Sequence, residues 1–483
     1  MIKSYKKYKI LEFSEDIMKK IITVVLLLTF ITAAFSSCMI QPVTDNTAAA
    51  GNTENEPDTK NTESKPETVP DTEEIPDMEA DTAAEETPAE TSANAETEPS
   101  TGLAGFDEFD AAFMEFIEKM EKDNYMISPL SIKYALGMAM AGADGNTLDQ
   151  FLKGFVINDL NVFENYIKAF NSFEEGFNEK VKRELEEYDA AIKRGERKEF
   201  LNYRPGSLRT ANSVWKREDL PGFAEDYRLR LEMYNAEHYT FTPADIVSRA
   251  NEWANKKTEG MIPKILSDDY DTLNLAVVLM NALYYKNCWK YEFEKCGEMP
   301  FTTSDGAVLK KDFIVSTETY GYYKDDKTEL VIISMNNNIN MIIVTGDTTD
   351  LQNKIKSAEY KKVSVYLPEF EIETSLENKE LCNFLLSLGI TDAFSPTSAN
   401  FGRMTGTDND FYIDDIIQKT KIKLDETGVE AATVTAIAVE NYAVPGKPIE
   451  FKADKPFHFY IVTGQSGWTE TSGITLFEGR LSK

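Results

Sequence analysis

The chain offers few groups from which a catalytic centre could be built. Its 483 residues include only two histidines, His238 and His458. A Ser-His-Asp centre would have to be assembled on one of these two, and most histidine-based metal sites are excluded. There is no G-x-S-x-G nucleophile motif and no spaced set of metal ligands. The expectation is a protein that is not an enzyme, with no catalytic residue, no metal and no cofactor. Three cysteines, Cys288, Cys296 and Cys382, follow Cys38. Their odd number and spacing favour buried free thiols, with a Cys288–Cys296 disulfide left open. The segment with unusual chemistry is residues 425–440, DETGVEAATVTAIAVE. Drawn out as a strand, it puts Val429, Ala431, Thr433 and Thr435 on one face and Glu430, Ala432, Val434 and Ala436 on the other. The first face is small and β-tolerant enough to be buried inside a sheet, and Gly428 supplies a swivel at its start. Taken alone, such a run also reads as an ordinary strand or an alanine-rich helical turn.

The elements around it come in two textures. Phe106, Phe109, Phe113, Phe116, Ile117 and Met120 recur at helical spacing, so an amphipathic helix over 106–122 opens the folded part. Helix-forming stretches follow at 131–141 and 162–197, the second ending in a charged run that reads as an exposed face. Beyond Ser207 the pattern turns to β-rich runs at 273–286, 328–335, 339–346, 362–373 and 456–464. Helices first and long strands later, without regular alternation or repeats, indicate an α+β domain over 106–483, its helices packed on large antiparallel sheets.

What precedes that domain is of another kind. Residues 41–105 contain no aromatic side chain and carry 17 acids against 2 lysines, a charge of −15. Such a segment cannot bury enough surface to offset ordering its backbone, and residues 38–105 read as a disordered acidic linker. From Met18 the chain has a basic start, an apolar run of about 15 residues and small residues before Cys38, which is the pattern of a signal peptide over 1–37. The run is shorter than the roughly 20 residues that span a bilayer. Phe35-Ser36-Ser37-Cys38 resembles a bacterial lipobox, which implies lipid attachment at Cys38 and a chain exported and tethered to a membrane; plain secretion is the alternative. Residues 1–17 read as an extension upstream of the true start at Met18. The formal charge of −31, less −15 for the linker and +3 for the first 40 residues, leaves −19 on the domain. That argues against nucleic acid as a partner, because phosphate contacts need clustered Lys and Arg.

Several stretches, in order along the domain, resemble one family, the serpins. They are NYMISPLSIKYALGMAMAGADGNTLDQ at 124–150, ANSVW at 211–215, NEWANKKTEGMI at 251–262, NALYYKNCW at 281–289, VYLPEFEIE at 365–373, LGITDAF at 388–394, and FKADKPFHFYIV with LFEGRLS at the end. Residues 425–440 resemble the hinge of an inhibitory serpin reactive loop, comprising Glu426, Gly428, Val429, Glu430, Ala431, Ala432, Thr433, Val434 and Thr435.

The resemblance implies a fold with an exposed C-terminal reactive loop and a suicide inhibitor of extracellular serine proteases. Its protease partner would be held in a covalent acyl complex, and the inhibitor would act as a monomer. Fifteen residues counted from Gly428 end at Tyr442, so the resemblance places the reactive bond at Tyr442–Ala443. A bond near Ala438 or Val439 is the alternative. A tyrosine there implies a chymotrypsin-like or subtilisin-like target, the alternative register an elastase-like one. Ser128, Ser131 and Asn281 match the polar shutter beneath the central strands, and Trp289 the aromatic residue where the loop first inserts. Gln418 stands where the family usually has histidine, eight residues before Glu426. A non-inhibitory serpin-fold binding or surface protein is the other reading, since Val429 and Val434 are bulkier than usual hinge residues.

Overall fold

In the computed structural model, the described residues are 104–120, 123–196, 206–407, 411–429, 447–464 and 473–483. The expected signal peptide, Cys38 and the linker up to residue 103 lie outside them, as do Glu430 to Thr435, Tyr442 and Ala443 of the expected loop.

The chain begins with α1 (Ala104–Met120), β1 (Tyr125–Ile127), α2 (Pro129–Gly142), α3 (Gly145–Gly154) and α4 (Leu160–Lys193). It continues through β2 (Ser207–Arg217), α5 (Glu225–Met233), β3 (Ala236–Phe241), α6 (Ile246–Lys257), β4 (Val277–Cys288), β5 (Glu294–Thr302) and β6 (Val308–Lys324). After these come β7 (Thr328–Ser334), β8 (Ile339–Gly346), α7 (Leu351–Lys356), β9 (Glu359–Pro368), β10 (Phe370–Leu376), α8 (Glu380–Ser387) and α9 (Gly402–Thr405). The last strands are β11 (Ile413–Asp425), β12 (Gly428–Val429), β13 (Ile449–Lys452), β14 (Phe457–Thr463) and β15 (Thr475–Leu481).

Two sheets organise these strands. One runs β10-β11-β12-β4-β2-β3; the other runs β1-β15-β14-β8-β7-β6-β9-β13, with β5 added on β6. The expected antiparallel sheets are in fact mixed, because β2–β3, β11–β4 and β13–β9 pair in parallel. Each of these pairs joins segments separated by a long excursion of chain, as parallel pairing requires. The run at 362–373 divides between the sheets. Pro368 ends β9, the Glu369 N–H leaves the ladder to donate to the Asp312 carbonyl at 2.8 Å, and β10 starts at Phe370 in the other sheet.

The main core lies between the sheets and beneath the first helices. In α1, Phe109, Phe113 and Ile117 are buried at successive turns, whereas Met120 is exposed on the last turn, past the surface the helix covers. Every residue of α2 is buried, as a helix apolar on all sides demands. Ser128 caps it by accepting the Ser131 N–H at 3.1 Å, and Pro129 takes the first-turn position where a missing N–H costs nothing. Buried Lys133 in α2 is held by Asp110 of α1 at 2.7 Å. A second apolar cluster joins α6 to the outer side of the six-stranded sheet through Trp253, Ala250, Met280, Ala282 and Ile417. All three described cysteines are free thiols; Cys288 and Cys382 are buried, and Cys296, expected inside, is exposed on β5.

The first half of α4 anchors it through Phe163, Ile167, Phe170 and Phe177, while the charged second half is mostly exposed, as its composition indicates. Between these halves Glu174 accepts the Thr210 N–H at 3.2 Å and the Thr210 hydroxyl at 2.8 Å. Burial outweighs both bonds and lifts its carboxyl from the usual 4.5 to about 7. A carboxyl with a higher pKa folded than unfolded adds its full stability below about pH 4.5 and loses it as pH rises toward 7. Glu174→Gln should therefore gain in melting temperature over the parent as pH rises through that window. A difference that does not change with pH would show that Glu174 does not titrate there.

Candidate functional site

The site is the place where β11 and β4 come apart. They pair in parallel from Ile413 against Val277 to Lys419 against Ala282, and beyond that they separate. Into the opening comes β12, antiparallel to both neighbours. On one side Val429 faces Leu424 and Gly428 faces Asp425; on the other Val429 faces Asn287 and Gly428 faces Cys288. Gly428 and Val429, expected to belong to an exposed loop's hinge, are therefore already strand. Val429 is 2% exposed and belongs to the main core. A buried apolar side chain and a two-sided ladder explain why the strand begins this early.

The reversal that delivers β12 is local chemistry. The Asp425 carboxylate accepts the Thr427 N–H at 2.9 Å, an Asx-turn that folds the chain back. Gly428 follows at φ 149, and a Cβ there would collide with the Asn287 carbonyl oxygen, so glycine is required by approach as well as by angle. Trp289, fully buried, fixes the turn from the β4 side. Its indole N–H donates to the Asp425 carbonyl at 3.0 Å and its backbone N–H to the Thr427 carbonyl at 3.1 Å. Lys295 lies 3.3 Å from both Glu426 and Glu369. These two carboxylates, Glu426 foremost, raise its pKa above that of a free lysine. The ammonium is exposed, so the pair positions the turn more than it stabilises the fold.

The two registers around β12 agree with each other. Were it continued down β4, the antiparallel register would put position 434 opposite Ala282 and position 435 opposite Asn281. Continued down β11, it would put the same positions opposite Lys419 and Gln418. Ala282 and Lys419 already face each other across the closed part of the sheet, and so do Asn281 and Gln418. The two edges are thus set to accept one further antiparallel strand without a shift of register. Its odd positions would share the face of Val429, toward Tyr285, Leu283, Ile422 and Thr420, all buried; its even positions would lie beside Lys286, Lys423, Lys421 and Lys419.

Beneath the opening, Gln418 and Ser128 are joined by two hydrogen bonds. The Ser128 N–H donates to Gln418 Oε1 at 3.1 Å, and Gln418 Nε2 donates to the Ser128 carbonyl at 2.8 Å. The Ser128 hydroxyl donates to the Leu476 carbonyl at 2.6 Å and so ties α2 to β15. Asn281, expected beside Ser128 and Ser131, turns the other way. Its amide donates to Asn212 of β2, whose own amide donates to the Tyr234 carbonyl at 2.6 Å. Gln418 uses its acceptor and a donor on the Ser128 backbone, which leaves Asn281 to find its partner across β2. Among the described residues, the Asn281 Oδ1 and the Ser131 hydroxyl have no hydrogen-bond partner. Asn212, Lys295 and Glu369 escaped the sequence reading. Asn212 lies inside the quoted ANSVW stretch and Glu369 directly after Pro368, but polarity alone does not say which neighbour a side chain meets. Asn287 and Cys288, which pair with Val429 and Gly428, lie in the quoted NALYYKNCW stretch, where Cys288 drew notice only as a thiol and Asn287 not at all.

Comparison with known proteins agrees with this geometry. Residues 108–483 match the family described as serpin (serine protease inhibitor). Macrophage plasminogen activator inhibitor 2 of Mus musculus is 27% identical over 414 residues, covering 76% of this chain and 97% of that protein. Leukocyte elastase inhibitor of Homo sapiens is 27% identical over 400 residues, covering 77% of this chain and 96% of that one. The crystal structure of tengpin, a thermophilic serpin in its native state, aligns at a TM-score of 0.62 with 25% identity, covering 81% of this chain and 96% of that chain. Since the family match takes in residues 108–483, nearly all of the folded part, this chain belongs to the serpin family of serine protease inhibitors.

Proposed function

We propose that this serpin inactivates extracellular serine proteases by presenting Tyr442–Ala443 as bait and then drawing the cut loop into its six-stranded sheet. The observation that carries this reading is the agreement of the β11 and β4 registers around Gly428 and Val429. Strand addition to a waiting sheet edge takes its energy from the main-chain ladder, with side-chain pockets setting what fits. The protease serine attacks the Tyr442 carbonyl, the amine of Ala443 leaves, and the acyl-enzyme stays joined to a loop that is now free at one end. Residues 430 onward then continue β12. At ~3.3 Å per residue, about 15 residues carry the protease some 50 Å, far enough to distort its active site before water releases it. No catalytic residue of the inhibitor is needed.

Two features favour inhibition over a non-inhibitory binding role. Val429, bulky for a hinge, already occupies a buried slot. Glu430 would come to lie between Lys286 and Lys423, so the first inserted charge meets opposite charges on both sides. Tyr442 fits a protease with a large apolar primary pocket, and no Lys or Arg occurs from 427 to 446 to suit a trypsin-like one. Tyr442→Arg should therefore move inhibition from chymotrypsin to trypsin, whereas Val439→Arg should not. An unchanged protease profile in Tyr442→Arg would put the reactive bond elsewhere, with the elastase-compatible bonds near Ala438 and Val439 next in line.

The domain is proposed to work outside the cell, held to a membrane by lipid on Cys38 and spaced from it by the acidic linker. The carrying observation is the Phe35-Ser36-Ser37-Cys38 end of the apolar run. Cys38→Ser is expected to release the protein from the membrane fraction; an unchanged membrane fraction would contradict anchoring through this residue.

A further inference from the structure

A cavity of about 690 Å3 lies between the loop joining β7 to β8, α7, and residues of β6 and β14. That size suits a small organic ligand. Ile332, Ile342, Ile355 and Val462 make part of its lining apolar. Among the described residues its ionisable lining side chains apart from Tyr360 are Lys180, Lys290 and Lys356, with no Asp or Glu. In a chain with 82 acids and 51 bases, a described lining with three lysines and no carboxylate is set apart from the general surface. The carboxylate paired with Lys180, Glu184 at 3.9 Å, lies outside the lining.

The second observation is the state of its amides. Asn337, which lines the cavity, is only 8% exposed, yet neither its Oδ1 nor its Nδ2 has a hydrogen-bond partner among the described residues; the Nδ2 of Asn336 has none either. Buried amides are normally satisfied, because leaving one unpaired costs about 1–3 kcal/mol. Turn geometry accounts for asparagine as the residue type, since Asn337 and Asn338 hold φ of 58 and 57. It does not account for a buried side chain left without partners. Nor is the loop loosely held. The Asn336 N–H donates to the Cys288 carbonyl at 3.1 Å, its carbonyl accepts the Asn287 amide at 2.8 Å, and the Met335 N–H donates to the Ile339 carbonyl at 2.8 Å.

We propose that this cavity binds an organic anion with an apolar body, its charged head at the lysine and asparagine side and its hydrocarbon part against Ile332, Ile342 and Val462. Burial of the hydrocarbon drives binding, and the lysines with the unpaired Asn337 amide select the anion. The test is calorimetric titration of the full chain with decanoate and, separately, with decan-1-ol, which shares the hydrocarbon but not the charge. Decanoate should bind saturably at one site, at least about tenfold more tightly than decan-1-ol. Lys290→Gln with Lys356→Gln should bring the two ligands to similar affinity, and Asn337→Ala should weaken decanoate severalfold. Ala358→Phe, which narrows the cavity without touching a charge, should weaken both; a thermal melt of each variant verifies folding. Absence of saturable decanoate binding to the parent chain would overturn the proposal, and so would binding that the lysine pair and Ala358→Phe both leave unchanged.

Discussion

Cleavage of the reactive loop should raise the melting temperature of the protein by roughly 15–25 °C. Among the described residues of the intact molecule, β11 and β4 pair directly as far as Lys419 and Ala282, and Gly428 and Val429 are inserted above. Continuing β12 to the foot of the sheet exchanges that parallel pairing for two antiparallel ladders. The net gain is on the order of a dozen backbone hydrogen bonds at ~1 kcal/mol each, with the burial of Ala431, Thr433 and Ile437 in addition. For a domain of this size, about 10–20 kcal/mol corresponds to a rise of that order. Limited proteolysis within 436–446 followed by calorimetry of the nicked and intact forms measures it. Equal melting temperatures would favour the non-inhibitory serpin reading.

The second large effect is expected from the side chains that must pass into the interior. In the register set by Val429, Ala431 comes to face Tyr285 and Ile422, and Thr433 to face Leu283 and Thr420, all of them buried. Ala431→Arg would carry an unpaired charge into that layer, at a cost of several kcal/mol, and Thr433→Pro would remove a ladder donor. A penalty of about 3–4 kcal/mol on insertion slows it by two to three orders of magnitude, enough for water to release the acyl-enzyme first. Both variants should thus be cut as substrates while the protease survives. Glu430→Gln, on the opposite face beside Lys286 and Lys423, should still inhibit. Stoichiometries of inhibition measured side by side distinguish these outcomes. Undiminished inhibition by Ala431→Arg would exclude insertion along this register.

Much of this was legible in the residues because buried strands and helices advertise their period. The apolar run at 339–346 coincides with β8, and Phe109, Phe113 and Ile117 are buried as their spacing requires. The alternation of small residues after Gly428 indicated which face turns inward, and Val429 lies on that face. What escaped reading depends on partners remote in sequence. β5 and the start of β6 form a largely exposed ribbon with no continuous apolar signal. Alternation shows which face a strand buries but not whether its neighbour runs parallel, so the β11–β4 pairing could not be foreseen. Nor could the departure of Asn281 from Ser128, which follows from Gln418 closing on the Ser128 backbone and from Asn212 being within reach across β2. Lys295 and Glu369 are surface charges by composition, and only the fold brings Lys295 to both Glu369 and Glu426.

The most direct test of the central claim is to incubate the purified protein with chymotrypsin, denature the mixture in SDS and analyse it by mass. A trapped acyl-enzyme predicts a 1:1 SDS-stable complex joined through Tyr442, together with a released C-terminal peptide beginning at Ala443. Complete cleavage of the loop with active protease and no stable complex, found also with subtilisin and elastase, would contradict inhibition by loop insertion.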